Sequence, residues 1–284
     1  MISVVIPAFN EEEAIASDLD AVLEAMEGTG LEYEVIVVDD GSTDRTAQIA
    51  QGRGVTVISH PYNKGVGAAR TTGVRRARGK IIVMTDADNT YPNGDIPRLL
   101  EHMGSYDMVV GARKTEEGTH KALRKPTKAA ITRLAAYVTR SRIPDLNSGF
   151  RCFSRQLALK YVNLLPEGHS WVSTLTLSFL SHGYNVKYVP IDYFPRTGES
   201  SFHPILDTRN TLLLIFRTVM YFNPLRVFFP VGFLLFLAGF IRTVYDAKVL
   251  HHVKESDVII IMTALIILSI GFLADLIVRM RRED

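Results

Sequence analysis

Two long apolar runs close to the C-terminal end limit what this chain can fold into. Val227 to Ile241 carries no charge, and the run extends from Pro224 to Val244 with Arg226 and Arg242 near its ends. The second, Val258 to Ala274, continues through Asp275 to Val278. Each approaches the roughly 20 residues that a helix needs to cross about 30 Å of hydrocarbon. A pair of buried core helices is the alternative, but two such runs joined by a short polar loop suit a transmembrane hairpin better. Arg279, Arg281 and Arg282 follow the second run, whereas the loop from Tyr245 to Asp257 sets Lys248 and Lys254 against Asp246, Glu255 and Asp257. This balance predicts an integral membrane protein with its body and both termini cytoplasmic.

The preceding two hundred or so residues have another character. Short β-branched runs at Ile2–Ile6, Glu34–Val38, Val55–Ser59, Ile81–Thr85 and Met108–Val110 alternate with helical patterns at Glu11–Met26, Asp44–Gln51, Gly67–Arg78 and Ile96–Met103. Alternation of this kind predicts an α/β body, a mostly parallel sheet with helices on both faces, and such sheets bind ligands at the carboxyl ends of their strands. Pro204 to Phe222 mixes apolar residues with Asp207, Arg209 and Arg217, a pattern shared by an interfacial amphipathic helix and by a surface helix packed on the body. The expected organisation is a body over 1–203, an interfacial helix over 204–223, and a hairpin over 224–284 with spans at about 224–244 and 257–278.

Composition narrows the function. The 32 basic and 30 acidic residues leave a net charge of +2, too small to imply a nucleic-acid partner, and 47% hydrophobic residues exclude a disordered chain. Cys152 is the only cysteine, so an internal disulfide framework and multi-cysteine zinc or iron–sulfur sites are excluded. Met1 to Pro7 lacks the basic and long apolar stretches of a signal peptide and reads as a first strand.

Acids collect at two predicted strand ends, Val38-Asp39-Asp40-Gly41-Ser42 and Thr85-Asp86-Ala87-Asp88-Asn89. Paired carboxylates there repel one another unless a cation or a donor-rich ligand lies between them, and a hard divalent ion on Asp86 and Asp88 keeps coordination positions for phosphate oxygens. Turn-forming and helix-capping aspartates are the plainer alternative, with Asp44 placed as an N-cap. Gly65-Val66-Gly67-Ala68-Ala69-Arg70 only partly matches a dinucleotide fingerprint, because Arg70 stands where Gly or Ala is needed. Lys121, Arg124, Lys125, Lys128, Arg133, Arg140 and Arg142 form an acid-free basic segment flanked by Arg113 and Arg196, suited to phosphates or anionic headgroups and too poor in aromatics for base stacking. No histidine or serine lies in a nucleophile or zinc-helix context.

Taken in order, Val5-Ile6-Pro7-Ala8-Phe9-Asn10-Glu11-Glu12, Val37-Val38-Asp39-Asp40-Gly41-Ser42, Asn63-Lys64-Gly65, Asp86-Ala87-Asp88, Gly111-Ala112-Arg113 and Ser148-Gly149-Phe150-Arg151 resemble the family-two glycosyltransferases. With the apolar hairpin, the chain is similar to the dolichyl-phosphate mannose synthase and polyprenyl-phosphate glucosyltransferase branch. The resemblance implies a nucleotide-sugar-binding, Rossmann-like GT-A sheet. It also implies inverting transfer of a hexose, foremost mannose from GDP-mannose, to a polyprenyl or dolichyl phosphate at the membrane. Transfer from UDP-glucose, a processive polysaccharide synthase and a non-catalytic scaffold of the same fold are alternatives. By resemblance, Pro7, Phe9, Glu11, Asp39 and Asp86 bind the donor nucleotide, and Asp86 and Asp88 hold Mg²⁺ or Mn²⁺. Arg113, Lys128, Thr132 and Arg196 bind the donor and acceptor phosphates, the acceptor phosphate above all, and Asp86, Asp88, Arg113 and Arg196 form the catalytic set. Homo-oligomerisation through the spans is a further expectation. Thr90, where mannose synthases often have Gln, and Ser201, where they have Lys, depart from the branch.

Overall fold

The structure is a computed structural model describing residues 1–114, 133, 135–137, 139, 141–168, 170–197, 220 and 224–283. The expected interfacial helix over 204–223 lies, Met220 apart, outside the described residues. The chain divides into two compact units, Met1–Leu214 and Ile215–Asp284.

The first unit is built on a seven-stranded mixed sheet: β1 (Ile2–Ala8), β2 (Tyr33–Asp39), β3 (Thr56–Ser59), β4 (Ile81–Met84), β5 (Met108–Arg113), β6 (Arg151–Ser154) and β7 (Val186–Ile191). Their spatial order is β3-β2-β1-β4-β6-β5-β7, with β6 antiparallel to both β4 and β5 and every other pairing parallel. β1 shows why the strands read as continuous β-branched runs: Val4 and Ile6 enter the core on one face and Val5 enters the core on the other. Among the described residues, this unit also holds helices α1 (Ile15–Glu27), α2 (Thr46–Gln51), α3 (Val66–Arg76), α4 (Ile96–Leu100), α5 (Arg155–Tyr161) and α6 (Trp171–Ser181).

The expected strands and helices are present, with two corrections at helix starts. α1 begins at Ile15 instead of Glu11: Ala14 N and Ile15 N both donate to Glu11 O, so residues 11–14 form a turn that leads into the helix. Arg45 holds the N-cap position of α2, one residue later than expected, but the Asp44 carboxylate still caps the start of the helix. It accepts from Thr46 N at 2.9 Å and from Glu12 N at 3.1 Å, so it closes its own turn and ties it to the loop after β1. The rejection of a dinucleotide fingerprint at Gly65–Arg70 has a structural counterpart, since the amides of Gly67 and Ala68 at the start of α3 donate to Glu167 O at 2.6 and 3.2 Å. Those are the donors a pyrophosphate would need.

The second unit holds α7 (Leu225–Val249) and α8 (Glu255–Glu283), both long and apolar enough to cross a membrane. Gly232 lets α8 approach through Leu268, and Gly239 does so through Ile260 and Ile261. The polar ends are tied by Arg242–Asp257 at 3.2 Å and Lys254–Asp246 at 3.0 Å.

A Cβ at residue 67 would run into Pro166 O and come within 2.6 Å of the Glu167 carbonyl carbon, neither of which a side-chain rotation can clear. Gly67→Ala is therefore expected to cost about 1–3 kcal/mol, read as a lowered Tm of the detergent-solubilised full chain; an unchanged Tm would contradict this packing.

Candidate active site

The carboxyl ends of β1, β2 and β4 deliver the acidic residues. In sheet register Ala8 lies beside Asp39, while Asp86 and Asp88 follow directly after β4. Each of the β4 carboxylates meets an arginine from a distant segment. Asp86 Oδ1 accepts from Arg70 Nη2 at 2.7 Å, and Asp88 Oδ2 lies 3.3 Å from Arg196 Nη1. Arg196 also bonds Glu11 through Nη2, so one guanidinium bridges the loop after β1 and the end of β4. The sequence shows no neighbouring cation for these acids because both arrive through tertiary structure.

Burial and crowding shape this cluster electrostatically. Glu11 is pushed up to about 8, chiefly by burial; Arg196 opposes the rise and Asp88, Asp86 and Asp18 add to it. Asp18, buried beneath the β4 loop, is raised to about 7 by burial, against the hydrogen bonds it accepts from Asn89 N at 2.8 Å and Asn93 Nδ2 at 2.6 Å. Asp88 is raised too, first by burial and then by repulsion from Asp86. Thr90, which departs from the branch pattern, donates through both its hydroxyl and its amide to Asp88 Oδ1 and so clamps that carboxylate.

The Asp39–Asp40 pair separates into two roles. Asp40 is buried and accepts from Lys64 N at 3.0 Å and Gly65 N at 2.7 Å, with His60 Nδ1 at 2.6 Å, and therefore fixes the loop after β3. Asp39, also buried, accepts from Ser42 N at 3.2 Å. Pro7 is buried within β1, and Phe9 is an exposed aromatic just beyond it. Asn10 locks the two loops together, its amide donating to Ser42 Oγ at 2.9 Å and its Oδ1 accepting from Thr43 N at 2.8 Å.

Arg113 lies on the far side of β4, gripped by Asp145 through Nε at 2.7 Å and Nη2 at 2.9 Å and set over the Tyr193 ring at 5.1 Å. This bidentate pair fixes the plane of the guanidinium, and with its hydrogen bonds it raises the Arg113 pKa against the effect of burial. Lys128 and Thr132 lie outside the described residues. Sequence reasoning passed over Arg70, Asp145, Tyr91 and the role of Gly149. Only the Arg70 departure from the glycine fingerprint carried a signal, whereas Asp145 and Tyr91 become meaningful once β5, β6 and the β7 loop are assembled.

Among the described residues no cluster of three or more His, Cys, Asp or Glu suits a metal. Asp86 and Asp88 do supply the one or two hard carboxylates with which Mg²⁺ or Mn²⁺ is held when substrate phosphates complete its shell. A cleft of about 840 Å³ lined by Lys80, Tyr106, Asp107 and Lys160 lies at the opposite, amino end of β4 and contains none of these groups.

Because Glu11 binds its proton more tightly folded than unfolded, wild-type stability falls as pH rises from 4.5 to about 8. Glu11→Gln cannot titrate, so its Tm relative to wild type should increase from pH 5 toward about pH 8. A difference independent of pH would contradict the burial assigned to Glu11.

Comparison with known proteins bears on the same regions. The model described as Glycosyl transferase family 2 matches residues 3–163, and the one described as GtrB C-terminal hairpin matches residues 223–280. The chain is 34% identical over 212 residues to the low-salt glycan biosynthesis hexosyltransferase Agl6 of Haloferax volcanii, covering 72% of this chain and 51% of that protein, about half its length. To the dolichyl-phosphate hexose transferase of Haloferax volcanii it is 33% identical over 205 residues, covering 72% of this chain and 87% of that one. The sheet resembles that of glucosyl-3-phosphoglycerate synthase from Mycobacterium tuberculosis, solved with Mn²⁺, UDP and glucosyl-3-phosphoglycerate, at a TM-score of 0.61 and 23% identity over 77% of this chain and 79% of that one, a likeness of fold. Since the matched stretch runs from the first strand past β6 and takes in the whole acidic strand end, this chain belongs to glycosyl transferase family 2.

Proposed function

We propose that the protein transfers a hexose from a nucleotide sugar to a polyprenyl or dolichyl phosphate at the cytoplasmic face of a membrane, with inversion at the anomeric carbon. The observation that carries this reading is the arginine-braced acidic end of β4, in a chain that also holds two helices apolar enough to span a bilayer. A relative named for dolichyl phosphate and another named for undecaprenyl phosphate, 28% identical over 84% of this chain, support the class of acceptor. A polyprenyl chain does not leave the bilayer, so its enzyme must come to the membrane, and the hairpin gives that anchor.

In this reading Pro7, Phe9 and Asp39 line the nucleotide subsite. Asp86 and Asp88 would hold Mg²⁺ or Mn²⁺, which when bound neutralises the charge that builds on the departing diphosphate. Arg196 exchanges its contacts with Glu11 and Asp88 for donor phosphate oxygens, and Arg113, kept in plane by Asp145, orients the acceptor phosphate together with Lys128 and Thr132. The acceptor oxygen forms its bond to the anomeric carbon as the bond from that carbon to the nucleoside diphosphate breaks. A phosphate monoester with a second pKa of about 6 is already largely dianionic at neutral pH. It needs placement more than deprotonation, which matches a site without a nucleophile–base pair among the motifs.

The test is transfer of radiolabelled sugar into organic-extractable lipid by the purified full chain, with polyprenyl phosphate and with GDP-mannose and UDP-glucose in parallel. Metal-dependent label from one donor is expected, and Asp88→Ala should lower it by at least about 100-fold while the protein stays folded. Label at the wild-type rate in that variant would overturn the site assignment, and no label from either donor would overturn the proposed reaction.

A further inference from the structure

Arg70 is a deeply buried cation, 5% exposed, on the second turn of α3. Its Nη2 donates to Asp86 Oδ1 at 2.7 Å, while its Nε is buried without a hydrogen-bond partner. A buried guanidinium that leaves a donor unmet is poor as a device for stability alone, since desolvation of both ions offsets much of their attraction. The helix that carries it is held firmly. Its first amides are taken by Glu167 O, and the Trp171 indole N–H donates to Thr71 Oγ1 at 2.9 Å.

The other side of the same carboxylate is bounded by backbone. A Cβ at Gly149 would lie 2.6 Å from Asp86 Oδ2 and 3.2 Å from its Cγ, so glycine is required for Asp86 to sit where it does. Gly149 is itself fixed, its amide donating to Tyr91 Oη at 2.8 Å while Arg151 Nε donates to the Ser148 carbonyl at 3.1 Å. Tyr91 is buried and stacks on Phe150 with ring centroids 5.7 Å apart. Asp86 is thus gripped by a cation from α3 and a backbone wall from the loop before β6, and its side chain still keeps 24% of its exposure.

We propose that Arg70 is a positioning residue for the donor site: with Gly149 as the opposing wall, it fixes the orientation in which the Asp86 carboxylate meets the cation-bound diphosphate of the nucleotide sugar. This rests on the donor-site reading above and adds to it a residue that touches neither substrate nor metal. Outer groups that orient a ligating carboxylate commonly set metal affinity without altering the ligand set. Lysine would substitute poorly, because its ammonium cannot reproduce the planar guanidinium contact.

The test uses the full chain in detergent with Mn²⁺ titrated by the electron paramagnetic resonance of the free ion, in the presence of UDP or GDP. Arg70→Met, close in volume but uncharged, should raise the half-saturating Mn²⁺ about 10- to 100-fold. Arg70→Lys should give a smaller rise, and Gly149→Ala should raise it through the opposite wall. In an Asp86→Asn background Arg70→Met should add nothing further, a coupling that a general loss of stability would not produce. Wild-type Mn²⁺ affinity in a folded Arg70→Met protein, or a full effect in the Asp86→Asn background, would overturn the inference and leave the donor-site reading standing. If Arg70→Met does not fold, the Arg70→Lys and Gly149→Ala titrations decide, and wild-type affinity in both overturns it. Should wild type bind Mn²⁺ with neither nucleotide, the donor-site reading falls and takes the inference with it.

Discussion

Four carboxylates, Glu11, Asp18, Asp86 and Asp88, crowd the end of one strand, and their mutual repulsion is the constraint that the surrounding structure answers. Two like charges about 4 Å apart repel by about 4 kcal/mol at an effective dielectric of 20, a large share of a domain's net stability. The offset comes from outside the cluster. Arg70 reaches Asp86 from α3, Arg196 reaches Asp88 and Glu11 from the loop after β7, and Asp18 is satisfied by Asn89 and Asn93. These contacts draw α3, the β1 loop and the β7 loop to the same point. Burial first, and the remaining repulsion after it, leave Glu11, Asp18 and Asp88 holding their protons more tightly than ordinary carboxylates.

A site held in this manner is primed for a ligand that brings both cation and anion. In the proposed function, a metal–diphosphate pair would give the carboxylates a positive partner and would offer Arg196 phosphate oxygens in place of Glu11 and Asp88. Arg113 has a different character: Asp145 holds one edge of its guanidinium through two hydrogen bonds and Tyr193 lies against its face, so its orientation is fixed before any ligand arrives. Exposed pairs such as Arg53–Asp20 and Arg45–Glu12 are screened by solvent, add little, and involve none of the carboxylates of the acidic cluster.

Much of this was legible in the chain itself. The strands β1, β2 and β4 are β-branched runs ending in acids, and their order gave the parallel half of the sheet together with the site at its carboxyl end. The antiparallel half was not legible. β6 is only the four residues Arg151–Ser154, and β7 mixes Lys187, Tyr188 and Pro190 among its apolar positions. The site showed the same division: acids at strand ends stand out as a pattern, whereas their counter-ions come from residues 16 and 108 positions away, as with Arg70 to Asp86 and Arg196 to Asp88. Asp40 looked equivalent to Asp39 until the amides of Lys64 and Gly65 were seen to occupy it.

The most direct test of the central claim is the anomalous scattering of Mn²⁺ in crystals of the full chain grown with a nucleoside diphosphate. The account expects a peak beside Asp86 and Asp88 and next to the diphosphate, with Arg196 moved from Glu11 and Asp88 onto the diphosphate. A nucleotide bound elsewhere, or Arg196 still bridging Glu11 and Asp88 beside a bound nucleotide, would contradict it.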